Sequence, residues 1–393
     1  MPLILYFLSR AGSEIAGQLL AVSLGWQIYA LTGSAADLGL AGLVQFVPGA
    51  LLTLPAGHAA DLWDRRRVTQ ICLAIQGVTA AWLAWLAYHD ALTAGRIFAA
   101  LVLLGGASAF EGPAAGALLP AIVPPERLPK ATALMTATFQ VAIIGGPALG
   151  GLAYALAPVA PAVLAGSAWL LAALLSGFIA LARKPEDEEP PSLDTLFAGF
   201  GFIRAHKVVL GLISLDLAAV LLGGATALLP IYARDILQVG PAGLGLLRSA
   251  PAVGALVTGL LLARTGIRRR AGPLMFKAVI LFGAATALFA VSRSLWLSLA
   301  ALAAAGAADT VSMVIRGSLI QHATPDAMRG RVTAVNYLFI NASNQLGEFE
   351  SGMAAALLGA VPAALLGGLG TIVVALAWMK LFPMLKSLDR LDE

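Results

Sequence analysis

Ten ionisable side chains interrupt apolar runs of this sequence that are long enough to cross a membrane. The acids are Glu14, Glu111, Asp216, Asp309, Glu348 and Glu350, and the bases are Arg10, Arg248, Lys277 and Arg316. A charge at the centre of a membrane helix costs about 2.5–3.5 kcal/mol on insertion scales, so each of these groups needs a partner or a function. Ion pairing and reversible protonation are therefore the chemistry that this sequence offers.

Two pairs of these groups have helical spacing. Glu14 follows Arg10 by one helical turn, so the two can neutralise each other, although Arg before Glu is the weaker order. Asp309 and Arg316 share a helix face two turns apart, where they either pair or line a cavity. Asp216 has no base near it in sequence. For Glu14 and Asp216, structural pairing and coupling to protons or substrate both stay open.

A polar stripe follows one face of the predicted helix 331–358. Its members recur at intervals of three and four residues: Asn341, Asn344, Gln345, Glu348 and Ser351. Such a stripe faces a cavity or another helix and not lipid. The amides either contact a solute in that cavity or form hydrogen bonds between helices.

The composition is that of an integral membrane protein. Of its 393 residues, 59% are hydrophobic and only 12% are charged, against about 25% in soluble domains. The net charge of +4 comes from loop Lys and Arg, so it indicates orientation in a membrane and not nucleic-acid binding. One cysteine and four scattered histidines predict no disulfide and no metal site. We expect no cofactor and no enzymatic activity, since the sequence contains no Walker A loop or catalytic triad.

Apolar runs predict twelve transmembrane helices. They span 3–31, 36–60, 68–88, 93–119, 130–156, 161–181, 208–233, 241–263, 272–291, 295–320, 331–358 and 361–382. The acidic, proline-rich run 183–191 is a linker, and Ser192 is a candidate N-cap for an amphipathic helix at the membrane surface. The prediction is thus an all-α membrane protein with a bundle at 1–182, a linker at 183–207 and a second bundle with a short tail at 208–393.

Lys and Arg concentrate in every second loop, for example Arg65–Arg67, Arg183–Lys184 and Arg269–Arg270. Short loops rich in these residues stay in the cytoplasm, so both termini are predicted to be cytoplasmic. We expect a multi-pass protein of the bacterial inner membrane, acting as a monomer.

The two halves of the chain also resemble each other. Glu14 and Asp216 are 202 positions apart, and Gly57 and Gly259 are separated by the same 202 positions. Pro48 and Pro251 are 203 positions apart, and Pro125 and Pro325 are 200 positions apart. A near-constant offset predicts a parallel repeat of six helices.

The loop that follows the second predicted helix carries a family signature. Gly57-x3-Asp61-x2-Asp64-Arg65-Arg66 resembles the G-x3-D-R-x-G-R-R loop of the major facilitator superfamily, with Leu62 and Asp64 in place of its first arginine and second glycine. Three further segments resemble the drug- and siderophore-exporter branch of that family: 31–34, 329–332 and 343–352. The resemblance implies twelve helices in two six-helix halves. It also implies that Gly57, Asp61, Asp64, Arg65 and Arg66 form a gate that holds the halves together while the outside is open.

A second match is typical of antiporters in this family. Gly146-Pro147-x2-Gly150-Gly151 resembles their fifth-helix motif, in which proline bends the helix and glycines allow backbone contact. The resemblance implies secondary active export of a small amphipathic molecule, a drug or a siderophore, with protons and the lipid bilayer as partners. The proton-coupling or substrate cavity is expected to contain Arg10, Glu14, Asp216, Asp309, Arg316, Asn341, Asn344 and Glu348. A transporter or flippase for a lysophospholipid-like lipid and a receptor without transport are the alternatives.

Overall fold

Long apolar helices build the first part of the chain, because in lipid a helix satisfies every backbone N–H and C=O within one segment. The computed structural model describes residues 2–179, 193–267 and 269–389, without the side chains of 53, 54, 58–62 and 193–196. Its first six helices are α1 (Pro2–Thr32), α2 (Ala35–Leu62), α3 (Arg65–Tyr88), α4 (Ala94–Ile122), α5 (Leu128–Leu156) and α6 (Ala160–Gly177). A short 3₁₀ turn, Pro125–Arg127, leads into α5.

The second part of the chain continues the same pattern. Its helices are α7 (Leu193–Ala205), α8 (Lys207–Leu222), α9 (Leu229–Ile231), α10 (Gly240–Thr265), α11 (Ala271–Val291), α12 (Leu295–Ala323), α13 (Asp326–Leu358), α14 (Ala360–Leu381) and α15 (Pro383–Ser387). No β-strand occurs in the described residues, which confirms an all-α protein.

Eleven helical segments of the described chain are long and apolar enough to cross a membrane. The predicted helix 331–358 is not among them, although α13 has 33 residues and so a length of about 50 Å. Its polar stripe lowers its hydropathy. With α13 as the twelfth, the predicted number of spans is reproduced.

The predicted helix 208–233 is not continuous, and this is the main difference from the sequence-based prediction. Helix α8 ends at Leu222, and the chain then passes through a 3₁₀ turn (Ala225–Leu228), α9 and a π-helical turn (Tyr232–Ile236). Gly223 and Gly224 interrupt the helix because successive glycines stabilise it poorly. A Cβ atom on Gly224 would lie 2.5 Å from the carbonyl oxygen of Gly347 in α13. The break therefore brings two backbones into direct contact.

The packing of the helices divides the chain into two compact units. Unit 1 comprises Met1–Gly33, Leu43–Pro191 and Val239–Ser249, and unit 2 comprises Ser34–Gly42, Ser192–Gln238 and Ala250–Glu393. Unit 1 thus includes the start of α10, and unit 2 includes the start of α2. The domain limits given above, 1–182 and 208–393, stay a prediction.

Each unit has its own packing. In unit 1, α1 packs on α5 and α6, and α3 packs on α4 and α6. In unit 2, α11 packs on α12 and α14, while α8 packs on α13 and α14. Large buried side chains in the core of unit 2 include Phe276, Leu212 and Leu215.

The segments outside the spans are also folded. Helix α7 occupies part of the predicted amphipathic region and packs on α13, where a Cβ atom on Gly199 would lie 2.7 Å from the Arg331 carbonyl oxygen. The linker 183–191 and the candidate N-cap Ser192 lie outside the described residues. The polar tail, predicted to be short, begins within α15 (Pro383–Ser387). Its Asp389 accepts a hydrogen bond from the backbone N–H of Arg270 at 3.0 Å.

Glycine at a helix crossing gives a first prediction. Gly306 of α12 lies against Pro251 of α10, and a Cβ atom there would be 2.7 Å from the Cα atom of Pro251. We expect Gly306→Leu to destabilise unit 2 by about 1–3 kcal/mol, because the two backbones must move apart. The check is the apparent thermal unfolding midpoint of the purified protein at a fixed heating rate.

Gly317→Leu on the same helix is the matched control, because a Cβ atom at Gly317 meets no atom within 4 Å. Equal midpoints for the two variants would contradict the crossing.

Candidate functional site: two arginine–carboxylate clusters

The first cluster, in unit 1, consists of Arg10, Glu14 and Glu111. Helix α1 supplies Arg10 and Glu14, and α4 supplies Glu111. The Arg10 guanidinium donates from Nη2 to Glu14 Oε1 and from Nη1 to Glu111 Oε1, both at 2.5 Å. The predicted pair of Arg10 and Glu14 is therefore present, and a second acid binds the same arginine.

Glu111 is held by neutral donors as well. Ser13 Oγ donates to its Oε1 at 3.3 Å, and Gln76 Nε2 donates to its Oε2 at 3.1 Å. Trp169 Nε1 donates in turn to Ser13 Oγ at 3.2 Å. Because Glu111 is only 7% exposed and accepts from three side chains, its carboxylate is fixed in position.

The two acids of the first cluster are therefore not equivalent. Glu14 is 21% exposed and binds the guanidinium from the arginine's own helix. Sequence reasoning missed the bond between Arg10 and Glu111, because 101 positions separate these residues and no local spacing links them.

The second cluster, in unit 2, consists of Asp216, Asp309 and Arg316. Arg316 Nη1 of α12 forms an ion pair with Asp216 Oδ1 of α8. Asp216 has no base near it in sequence, but helix packing brings in an arginine 100 positions later in the chain. Arg316 is 7% exposed, so the pair is largely removed from solvent.

Asp309 is the second acid of this arginine. Its Oδ1 lies 3.9 Å from Arg316 Nη2, one of the two arrangements predicted from their spacing. The Asp309 side chain is 50% exposed, against 13% for that of Asp216. One carboxylate thus holds the guanidinium closely, while the other lies 3.9 Å away on a side chain that is half exposed.

A small cavity adjoins the second cluster. All three cluster residues line it, together with Ser312, which lies between Asp309 and Arg316 on the same face of α12. Ser312 is 2% exposed, and its hydroxyl has no hydrogen-bond partner among the described residues. A buried hydroxyl without a partner is costly, and the cavity, with a volume of about 10 Å³, has room for one water molecule at most.

The two clusters, one in each unit, have the same arrangement of charges. An arginine binds one carboxylate from its own helix and one from a different helix. With both acids ionised, each cluster carries one negative charge, and one added proton makes it neutral. A proton on one acid would leave the other acid as the sole charged partner of the arginine.

The polar stripe of α13 is divided between two environments. Asn341 and Asn344 are exposed, and Asn341 Nδ2 donates to Tyr337 O of its own helix at 2.9 Å. Gln345 and Glu348 instead lie against the start of α2, within unit 2. A Cβ atom on Gly42 would be 2.9 Å from Gln345 Oε1 and from Glu348 Oε2.

The glycines of the fifth-helix motif pack against two neighbours within unit 1. A Cβ atom on Gly146 would lie 2.5 Å from Gln18 Cβ, and one on Gly150 would lie 2.6 Å from the Leu19 carbonyl oxygen, both on α1. Gly151 faces the other way, towards Gly245 at the start of α10. Pro147 is buried inside α5, which continues through it.

The loop that carries the family signature is shorter than predicted. Helix α2 includes Gly57 and ends at Leu62, so only Trp63 and Asp64 separate it from α3. Asp64 caps α3 by accepting from the backbone N–H of Arg66 at 2.9 Å, and it pairs with the Arg66 side chain at 3.3 Å. Arg66 also donates to the Ile179 carbonyl oxygen at 3.4 Å. The Asp61 side chain lies outside the described residues, and the gating role of this loop stays a prediction.

Comparison with known proteins places these features in a family. The sequence profile of the Major Facilitator Superfamily matches residues 3–343. The enterobactin exporter EntS of Shigella dysenteriae serotype 1 is 30% identical over 380 residues, which cover 94% of this chain and 86% of that protein. EntS of Escherichia coli (strain HS) has the same identity and coverage.

Solved structures share the fold. The nucleoside transporter NupG is 15% identical, with a TM-score of 0.76 over 97% of this chain and 99% of that chain. A bacterial homologue of the iron transporter ferroportin is 18% identical, with a TM-score of 0.69 over 96% of this chain and 97% of that chain.

The first cluster gives a second prediction. We expect Arg10→Met to destabilise the protein by about 3–5 kcal/mol, because it leaves two carboxylates without their charged partner. The check is thermal unfolding, with Arg96→Met as the control, since Arg96 is exposed at the start of α4. Adding Glu14→Gln and Glu111→Gln to Arg10→Met is expected to restore part of the loss. Failure of that rescue would mean that the arginine acts through packing and not through its charge.

Proposed function

Because the chain belongs to the Major Facilitator Superfamily, we propose that it is a secondary active exporter of a small amphipathic, siderophore-like molecule, driven by protons through alternating access. The observation that carries the coupling is the second cluster, in which one guanidinium serves two carboxylates of different exposure. Inward proton movement supplies the energy: about 2.3 kcal/mol per charge at 100 mV, and about 1.4 kcal/mol per pH unit.

Asp309 is the proposed proton carrier. Its carboxylate is half exposed and lies 3.9 Å from Arg316, so a proton reaches it without first breaking a close ion pair. Protonation removes its attraction for Arg316, which leaves Asp216 as the sole charged partner. Loss of the proton restores competition between the two acids for one arginine.

This competition provides a link to the transport cycle. The arginine and Asp309 lie on α12, and Asp216 lies on α8, so a change in their pairing alters how the two helices are held. Two arrangements of one ion-paired element are the kind of bistable contact that switching requires. Glu14 and Glu348 then have supporting roles, at the first cluster and at the contact with α2.

The substrate class follows from relatives and from charge. The enterobactin exporters support a siderophore-like cargo. Each described cluster has one acid more than it has bases, so neither attracts a strongly anionic ligand. An uncharged or cationic form of such a molecule fits this environment better than a polyanion.

The proposed setting is the bacterial inner membrane, with both termini in the cytoplasm and one chain as the transporting unit. The distribution of Lys and Arg among the loops supports this orientation.

The coupling role of Asp309 is tested by Asp309→Asn. We expect the variant to lose pH-driven efflux of enterobactin or a fluorescent dye from proteoliposomes, down to the level of protein-free vesicles, while ligand-induced thermal stabilisation remains. The neutral amide keeps the shape of the acid but cannot release a proton. Asp326→Asn is the matched control, because Asp326 is exposed and pairs with Arg329 one turn away.

Efflux at the rate of the unaltered protein in Asp309→Asn would refute this assignment. Movement of a fluorescent lysophospholipid with no efflux of either solute would favour the lipid transporter, and ligand binding without any flux would favour the receptor.

The fifth-helix motif gives a further prediction. We expect Gly151→Leu to abolish efflux, because a side chain there enters the backbone of α10 at Pro241 and Gly245. Gly145→Leu is the control, since a Cβ atom at Gly145 meets no atom within 4 Å. The measurement is initial efflux rate per reconstituted molecule, with circular dichroism as a check of helix content. Equal rates for the two variants would contradict a requirement for this crossing.

A further inference from the structure

An apolar groove in unit 1 is not used by the proposed transport mechanism. It lies between α2, α3 and α4 and has a volume of about 440 Å³. Its walls include Pro48 and Leu52 of α2, Ile71 and Ile75 of α3, and Leu103 and Phe110 of α4. The volume falls within the range of small-molecule sites, but the few convergent polar groups that orient a polar ligand are absent from its described lining.

The groove opens on the outer surface of the helices. Ile71 is 59% exposed, and Leu103 is 48% exposed, although both lie in segments that span the membrane. Apolar side chains exposed along such helices contact acyl chains. An elongated hydrocarbon is therefore the chemistry that fits these walls.

Charge at one end of the groove identifies the headgroup. The α3 residues that line it, Val68, Ile71, Cys72 and Ile75, recur at intervals of three and four. Arg67 precedes Ile71 by four positions, so it lies on the same helix face, one turn beyond the apolar walls. Arg67 is exposed, and no described carboxylate lies within ion-pair distance of its side chain.

Two neighbours complete this end. Trp63, which lines the groove, is 65% exposed, and tryptophan is enriched at the level of lipid headgroups. Asp64 is the described acid beside Arg67, and its carboxylate accepts from the backbone N–H groups of Arg66 and Arg67. One acid and three arginines in the run 64–67 leave an excess of positive charge.

We propose that this groove binds a membrane phospholipid with an anionic headgroup, whose acyl chain fills the space between α2, α3 and α4 and whose phosphate binds Arg67. The acyl chain fills the space that helix packing leaves open between α2, α3 and α4. The headgroup neutralises part of the positive charge of Arg65–Arg67 and holds the acyl chain against Ile71 and Ile75.

The test uses the full-length protein in nanodiscs that contain photoactivatable phosphatidylglycerol or phosphatidylcholine, each with the same diazirine-bearing acyl chain. We expect cross-links to concentrate in segments 63–75 and 102–110, and phosphatidylglycerol to label these segments about fivefold more than phosphatidylcholine. Peptide mapping by mass spectrometry gives both the position and the ratio.

Two pairs of variants separate the headgroup from the chain. Arg67→Gln is expected to remove the preference for phosphatidylglycerol, whereas Arg96→Gln, at the start of α4, keeps it. Gly106→Leu is expected to reduce labelling by both lipids, because its Cβ atom would lie at an ordinary 3.6 Å from Leu52 Cδ1 and its branch would enter the groove. Gly95→Leu, where a Cβ atom meets no atom within 4 Å, is the matched control.

Cross-links spread evenly over the exposed helix faces, or an unchanged lipid ratio in Arg67→Gln, would overturn the proposal. Displacement of the label by excess enterobactin would also overturn it, because the groove would then be an entrance for cargo. Thermal unfolding of each variant confirms that a loss of labelling is not a loss of fold.

Discussion

The cost of charge inside a hydrocarbon layer is the constraint on which this molecule depends. An isolated ionised side chain at membrane depth is so unfavourable that it must be paired or solvated. The chain meets this requirement twice in the same way, by placing one arginine between two carboxylates from different helices. The bond from Arg10 to Glu111 ties α1 to α4, and the bond from Arg316 to Asp216 ties α12 to α8. Charge pairing therefore positions the helices as well as stabilising the charged side chains.

Close backbone contact is the second means of holding the helices. Lipid provides little hydrophobic drive for helices to associate, so small residues that permit direct contact take its place. In unit 1, Gly151 of α5 meets Gly245 of α10, and in unit 2, Gly39 of α2 meets Gly352 of α13. At these glycines, the contact is between backbone atoms. These contacts hold helices by shape, whereas the two clusters hold them by charge.

Most of the fold could be predicted from the sequence, because long apolar runs, loop charges and the family signature all indicate the same arrangement. Local spacing also identified the pairs Arg10–Glu14 and Asp309–Arg316, since partners four or seven positions apart share a helix face. The bonds Arg10–Glu111 and Arg316–Asp216 could not be found in this way. They join helices that are distant in sequence, and only tertiary packing decides which faces meet.

The break after α8 was missed for a related reason. Hydropathy over 208–233 is uniformly high, and one span from Lys207 to Ile236 still crosses the membrane by length and composition. Gly223, Gly224 and Pro230 were visible in that run, but glycine and proline are common in membrane helices. The close approach of Gly224 to Gly347 of α13 joins segments that are distant in sequence, so hydropathy along the chain does not report it.

The two clusters have the same charge, yet their surroundings give them different capacities. In the first, Ser13 and Gln76 donate to Glu111, and Trp169 donates to Ser13, so the buried acid has two neutral donors besides the arginine that it shares with Glu14. In the second, Asp309 is half exposed, its described partner is an arginine 3.9 Å away, and the neighbouring Ser312 hydroxyl has no described partner. A carboxylate with several donors resists rearrangement, because each broken bond leaves a buried polar group unsatisfied. The second cluster has fewer such bonds to lose, so a change in its pairing costs less free energy, which is the physical reason for assigning the proposed proton switch to unit 2 and not to unit 1.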